Sequence, residues 1–201
     1  MKALPKLLSK TRMMKGYRCT KALYLNIQNP ELEAPITEAQ QALFDQGNRI
    51  GEEARKRFPG GKLVDNDPWD YIGSLKKTRN YIDGGAHVIY EAAFEHNGCY
   101  ARADVLVFSP TTKRWTMFEV KSSTKVKPEH LDDVGLQAWI IANAGVSLEK
   151  IYVMHLNADC RYPDLSNLFK KVDVTDKLRV KYPGIAPKVT EIFSTLKSGQ
   201  V

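Results

Sequence analysis

The hydrophobic pattern of this chain predicts an α/β fold in which a mixed central β-sheet is flanked by helices, and three observations carry that expectation. Alternating segments, His87 to His96 and Cys99 to Phe108, are joined by Asn97-Gly98, the strongest two-residue hairpin signal because both positions tolerate positive φ. A third segment ends in Glu119-Val120-Lys121, and a helix-period stretch separates it from Ile151 to Leu156, a nearly continuous apolar run of the kind found in a central strand. The length of 201 residues, 43% hydrophobic and 26% charged, suits one full domain with a sizeable core. No stretch reads as a membrane span, and the basic segment Met1 to Met14 lacks the apolar run and small-residue cleavage site of a secretory leader. A cytoplasmic protein with no membrane partner is therefore expected.

Residues 1–34 are expected to form an N-terminal helical arm, 35–157 the core and 158–201 a C-terminal cap. Thr37 opens the first core helix through a Thr-x-x-Gln capping box with Gln40, and Pro59-Gly60-Gly61 stops it after Phe58. Ala39, Leu43, Ile50, Ala54 and Phe58 make its apolar stripe. Gly47 and Gly51 lower helix propensity, which points to close packing on the sheet, the stronger reading, or to the approach of a ligand. A second helix spans Asp70 to Ile82 and ends at Asp83-Gly84-Gly85. Pro128 suits the first turn of a helix that reaches Asn143 and is closed by Gly145. Its buried stripe is Leu131, Val134, Ala138 and Ile141, while His130, Asp133 and Gln137 share another face, either solvated or turned toward the acids of the sheet. Asn157 to Leu168 is polar and turn-rich. From Thr175 a terminal helix, interrupted by Pro183 and Pro187, lays Val189, Ile192, Phe193 and Leu196 on the core.

Turn geometry assembles the chemistry. With a tight Asn97-Gly98 turn, His96 pairs with Cys99, and counting back sets Glu91 opposite Asp104. A second turn symmetric about Thr111 and Thr112 sets Asp104 opposite Glu119. Three carboxylates then form one row across three antiparallel strands, with Lys121 on the same face by the period of two. Like charges facing one another are unfavourable, and a divalent cation such as Mg²⁺ would compensate them. A solvated sheet face with Lys121 as cross-strand partner accounts for the same residues. Asymmetry of the second turn by one residue would move Glu119 to the other face.

The balance of 30 basic to 23 acidic residues, a net charge of +7, favours a polyanionic partner. Basic residues cluster at Lys6, Lys10, Arg12, Lys15 and Arg18, at Arg55, Lys56 and Arg57, and at Lys76, Lys77 and Arg79. Lys125, Lys127 and His130 follow the third strand. Tyr17, Trp69 and Tyr71 are interleaved and suit stacking on unpaired bases. Each cluster taken alone is also what a solvated surface looks like.

Asp104, then Glu119-Val120-Lys121, then a helix carrying Gln137 resembles the PD-(D/E)XK nuclease superfamily, in particular its RecB-like and CRISPR-adaptation exonuclease branch. With Leu8-Ser9-Lys10, Cys19 to Leu25 and His130 to Trp139, the chain also resembles the nuclease-like amino-terminal module of a bacterial family whose members continue beyond it. The resemblance covers roughly Leu8 to Asp176 and implies a restriction-endonuclease-like core. It implies that Asp104, Glu119 and the Val120 carbonyl hold Mg²⁺ or Mn²⁺ and that Lys121 orients or activates the attacking water. Glu91 would be an additional acid, and Gln137 would help to hold the site or the DNA. Arg55, Lys76, Lys77, Arg79, Lys125, Lys127 and His130 would then bind nucleic acid.

Two positions depart from the pattern: Ile141 stands where a tyrosine often follows the glutamine, and Gly47-Asn48 where some relatives carry a metal-binding histidine. The metal must then rely on carboxylates. Cys19 matches the early cysteine of relatives that hold an iron-sulfur cluster, but with Cys99 and Cys160 as the only others a set of four is lacking, so no cluster is expected and Cys19 reads as a buried apolar residue. The implied function is a metal-dependent deoxyribonuclease acting in DNA repair, recombination or defence, with DNA and a larger repair or defence complex as partners. Its rival is a catalytically inactive nucleic-acid-binding module with the same fold. A metalloenzyme acting on another phosphate ester is a third, weaker reading.

Overall fold

The computed structural model describes residues 4–199. Strand β1 (Leu8–Ser9) leads into helices α1 (Lys10–Arg18) and α2 (Thr20–Gln28), and after a 3₁₀ turn comes α3 (Glu38–Arg55). Next are β2 (Lys62–Leu63), α4 (Tyr71–Asp83), and a meander of β3 (Val88–His96), β4 (Cys99–Ser109) and β5 (Arg114–Lys121). Helix α5 (Pro128–Asn143), β6 (Leu148–Leu156), β7 (Phe169–Asp173) and α6 (Thr175–Ser198) follow. Among the described residues, seven strands form one mixed sheet in the order β2-β3-β4-β5-β6-β7, with β1 pairing with β4 off that path. β3, β4 and β5 are antiparallel, whereas β5 and β6 run parallel because α5 crosses over between them.

Local signals account for most of these elements. The Thr37 hydroxyl accepts the Gln40 N–H at 3.2 Å and Gln40 Oε1 accepts the Thr37 N–H at 2.9 Å, closing the capping box. Asn97 at φ 47° and Gly98 at φ 75° make the hairpin turn, and His96 pairs with Cys99. The Asp70 side chain caps α4. Among the described residues, no helix is long and apolar enough to cross a membrane.

The differences from expectation have physical causes. α5 is buried continuously from Val134 to Ile141, because the sheet lies on one side and α1 and α6 lie on others; Leu131, expected in its stripe, is only partly buried. β7 was not foreseen. It is a short strand carrying Lys170 and Lys171, charged as exposed edges often are, so apolar alternation does not mark it. α6 runs unbroken through Pro183 and Pro187, held by the burial of Leu178, Ile185, Val189, Ile192 and Leu196. Cys19, expected to be buried, is exposed at the start of α2, where Sγ accepts the Ala22 N–H at 3.4 Å; the buried cysteine is Cys99.

The largest correction concerns α3. It ends at Arg55 rather than Phe58, and of its expected stripe only Ala54 is buried within the helix; Leu43 is 64% and Phe44 55% exposed. A regular apolar spacing identifies a face without supplying anything to cover it. Leu136→Ala, in the fully buried part of α5, should cost about 2–5 kcal/mol of stability in urea titration, whereas Leu43→Ala should stay within about 0.5 kcal/mol of the parent.

Candidate active site

The register foreseen from the turns holds as far as the ladders run. β4 and β5 pair from Ser109↔Arg114 to Val105↔Phe118, and one step beyond, Asp104 Oδ2 accepts the Val120 N–H at 2.6 Å. On the other side, Ala92↔Ala103 and Tyr90↔Val105 bracket Glu91 and Asp104. Glu91 stands at φ 56°, in the left-handed region that non-glycine residues enter uncommonly and that clusters at functional sites. Side-chain facing shifts at this point. Ala103 and Leu106 both belong to the main core, as do Ile89 and Ala92, although a spacing of three puts residues of a regular strand on opposite faces.

A second strand completes the site from an unexpected direction. β1 pairs with β4 through Leu8↔Cys99 and Ser9↔Tyr100, and since β3 already lies along the other edge of β4 there, β1 occupies the lane of β5 beyond Lys121. The next residue, Lys10, therefore begins α1 beside the end of β5. Lys10 Nζ donates to Glu119 Oε1 at 2.9 Å, Asp133 Oδ2 at 3.1 Å and Gln137 Oε1 at 2.9 Å. Lys121 Nζ donates to the same two carboxylate oxygens, Glu119 Oε1 at 2.8 Å and Asp133 Oδ2 at 2.5 Å. Gln137 is fully buried and donates its Nε2 to the Arg102 carbonyl. Glu119 is only 3% exposed, and its second oxygen, Oε2, is buried with no hydrogen-bond partner.

The electrostatics follow from this arrangement. Burial alone would push the Glu119 carboxyl up, but the Lys10 and Lys121 ammoniums outweigh it and hold it down. Burial works against the charged form of both lysines as well, and Glu119 and Asp133 more than restore it. Asp104 behaves oppositely: burial, then repulsion from Glu119 and Glu91, drive its carboxyl well up. Two ammoniums are thus answered by Glu119 and Asp133, and Glu91 is answered by Arg55 at 3.0 Å. Among the described residues Asp104 makes no ion pair, and the pull of the Lys10 ammonium on it is outweighed by burial and by Glu119 and Glu91.

That uncompensated acid, beside the orphaned Glu119 Oε2, fits a hard divalent ion completed by main-chain oxygen and water. Among the described residues, no three His, Cys, Asp or Glu side chains form a ready metal cage. A cavity of about 490 Å³ opens here, lined by Gly47, Asn48, Gly51, Glu52, Arg55, Glu91, Asp104, Val120 and Lys121 among others. A methyl group added at Gly47 or Gly51 would meet nothing within 4 Å, so the two glycines border open space and do not pack on the sheet. A second cavity, of about 500 Å³, lies across Lys121 and is lined by Lys15, Arg18, Glu129, His130 and Asp133 among others.

Glu91, Asp104, Glu119, Lys121 and Gln137 are therefore brought to one place, with Arg55 and His130 on the walls. Lys76, Lys77, Arg79, Lys125 and Lys127 line neither cavity. Lys77 pairs with Asp65, Arg79 with Asp83 at 2.9 Å, and Lys127 with Glu129 at 3.9 Å. Lys10 and Asp133 were not foreseen as site residues. Asp133 had a signal, its helical spacing from Gln137. Lys10 stands in the Leu8-Ser9-Lys10 stretch of the resemblance and in a basic cluster, but nothing in the sequence links it to Glu119, 109 residues away.

The chain matches no family model and no curated protein. Among solved structures it is similar to an alkaline exonuclease, LHK-Exo, from Laribacter hongkongensis, with 15% identity and a TM-score of 0.52 over 96% of this chain and 89% of that one. The same exonuclease in complex with dAMP gives 14% identity and a TM-score of 0.53 over the same shares. The α/β architecture, a mixed sheet flanked by helices, is thus one found in a nuclease.

The two acids should respond oppositely to substitution in metal-free buffer. A carboxyl raised on folding, like Asp104, contributes stability that is lost as pH climbs from its unfolded value near 4 toward the raised one; a lowered one, like Glu119, contributes stability above its unfolded value and loses it as pH falls through the folded one. At pH 8 with EDTA, Asp104→Asn should stabilise the protein and Glu119→Gln should destabilise it by about 3 kcal/mol, read from urea midpoints. Destabilisation by Asp104→Asn would contradict the charge balance described above.

Proposed function

We propose that this protein is a metal-dependent deoxyribonuclease that hydrolyses DNA phosphodiester bonds, with the PD-(D/E)XK residues as its catalytic set. One observation carries the proposal: Glu119 gives one oxygen to two ammoniums and keeps the other buried and unpartnered, in a cluster whose Asp104 and Lys121 line a polar cavity. A salt bridge built for stability alone has no use for a buried unpartnered oxygen, which costs about 1–3 kcal/mol. Similarity in fold to an alkaline exonuclease, crystallised in one case with dAMP, supports the reading.

Mg²⁺ or Mn²⁺, held by Asp104, Glu119 and the Val120 carbonyl, would supply a Lewis acid for the phosphate and offset the charge that builds in the transition state. The other roles fall to the chain itself. Lys121 borders both cavities, where its ammonium can orient the attacking water and meet phosphate charge. As the water oxygen bonds to phosphorus, the bond to the departing sugar oxygen breaks. Asp104 is anchored by the Val120 N–H, and Glu91 by Arg55. Gln137 fixes Lys10 from within α5. Arg55 and His130 flank the substrate, and Lys76, Lys77, Arg79, Lys125 and Lys127 contribute salt-sensitive contacts to the DNA backbone farther out. A role in repair, recombination or defence, within a larger complex, accords with the same reading.

Cleavage assays on single- and double-stranded DNA should show activity with Mg²⁺ or Mn²⁺ and none with EDTA. Glu119→Ala and Lys121→Ala should each lower kcat by about 10²-fold or more. Activity that survives both substitutions would remove the proposed site. Salt-sensitive DNA binding with no cleavage under any metal would point instead to an inactive binding module.

A further inference from the structure

Lys10 and Lys121 duplicate one another. Both ammoniums reach Glu119 Oε1 and both reach Asp133 Oδ2, at distances between 2.5 and 3.1 Å. Two cations on the same pair of oxygens repel each other, and each loses hydration on entering the cluster. Stability alone does not call for the second, since one lysine bridges both carboxylates. The two differ in what else holds them. Lys10 spends its third donor on Gln137, a side chain itself fixed to the Arg102 carbonyl. Lys121 makes no third bond among the described residues and faces both cavities.

We infer that Lys10 is a positioning residue, a resident counter-ion that keeps Glu119 and Asp133 neutralised when Lys121 turns its ammonium toward the scissile phosphate. Without it, Lys121 is the sole cation for the buried Glu119 and the partly buried Asp133, and turning away strands both of them. With it, the turn exchanges one set of charge-assisted hydrogen bonds for another. Because Lys10 is carried by β1 and α1, the seating of the N-terminal arm against β4 becomes a condition of activity. This rests on the role proposed for Lys121.

A double-mutant cycle on the metal-free protein tests the duplication without reference to catalysis. Lys10→Met and Lys121→Met should each shift the unfolding constant modestly. The pair together should exceed the product of the single effects by about tenfold or more, because only then are the carboxylates stranded. Additive effects, or a Lys10→Met change as large as that of the pair, would overturn the inference and make Lys10 a structural clamp. In the cleavage assay, Lys10→Met should lower kcat about tenfold or more with KM little changed, and Lys10→Arg should restore most of the loss; Lys10→Met at parental kcat would overturn it too. If the parent protein cleaves nothing, the proposed function fails, and the cycle by itself decides whether the two lysines share their acids.

Discussion

Two ammoniums and three carboxylates meet where β5 ends, largely out of water, and a group of such charge density persists only when every partner is held in place from behind. Much of the architecture is arranged around that demand. β4 delivers Asp104, and β5 delivers Glu119 and Lys121 two residues apart on one face. α5 brings Asp133 and Gln137 one turn apart, anchored by the burial of Val134 through Ile141. β1 is only two residues long, yet it sets Lys10 at the end of the lane that β5 vacates. A solvated acidic row would need none of these supports, and the second oxygen of Glu119 would not be buried without a partner.

The irregular backbone at the site belongs to the same arrangement. Glu91 adopts positive φ and the facing of β3 and β4 shifts around Asp104, so that Asp104 takes the Val120 N–H where a regular ladder would continue. α3 borders the cleft without being packed along most of its length. Beyond its exposed Leu43 and Phe44, and with glycines next to open space, that wall is lined by Asn48, Ile50, Glu52 and Arg55.

The chain shares its α/β architecture with an exonuclease of known structure at 15% identity. The sheet and the crossover helix α5 fix the positions from which the acids and the lysine project. The residues that neutralise them can come from elsewhere in the chain, as Lys10 does here from the N-terminal arm.

What the sequence determined by itself was local in origin. Asn97-Gly98 fixes a two-residue turn and with it the register that sets Glu91 and Asp104 abreast. Acid-x-Lys puts Glu119 and Lys121 on one face, and the four-residue step from Asp133 to Gln137 keeps them together on α5. These relations span a few residues, or a turn whose length sets the count, so they can be read before any folding. Tertiary structure decided the rest. It placed Lys10 against Glu119 across 109 residues of sequence, gave Asp133 its part in the cluster, left the stripe of α3 uncovered, and made a strand of Phe169 to Asp173. The reason is the same in each case: periodicity states which face of an element is apolar or charged, but only the packing of elements distant in sequence states what, if anything, that face meets.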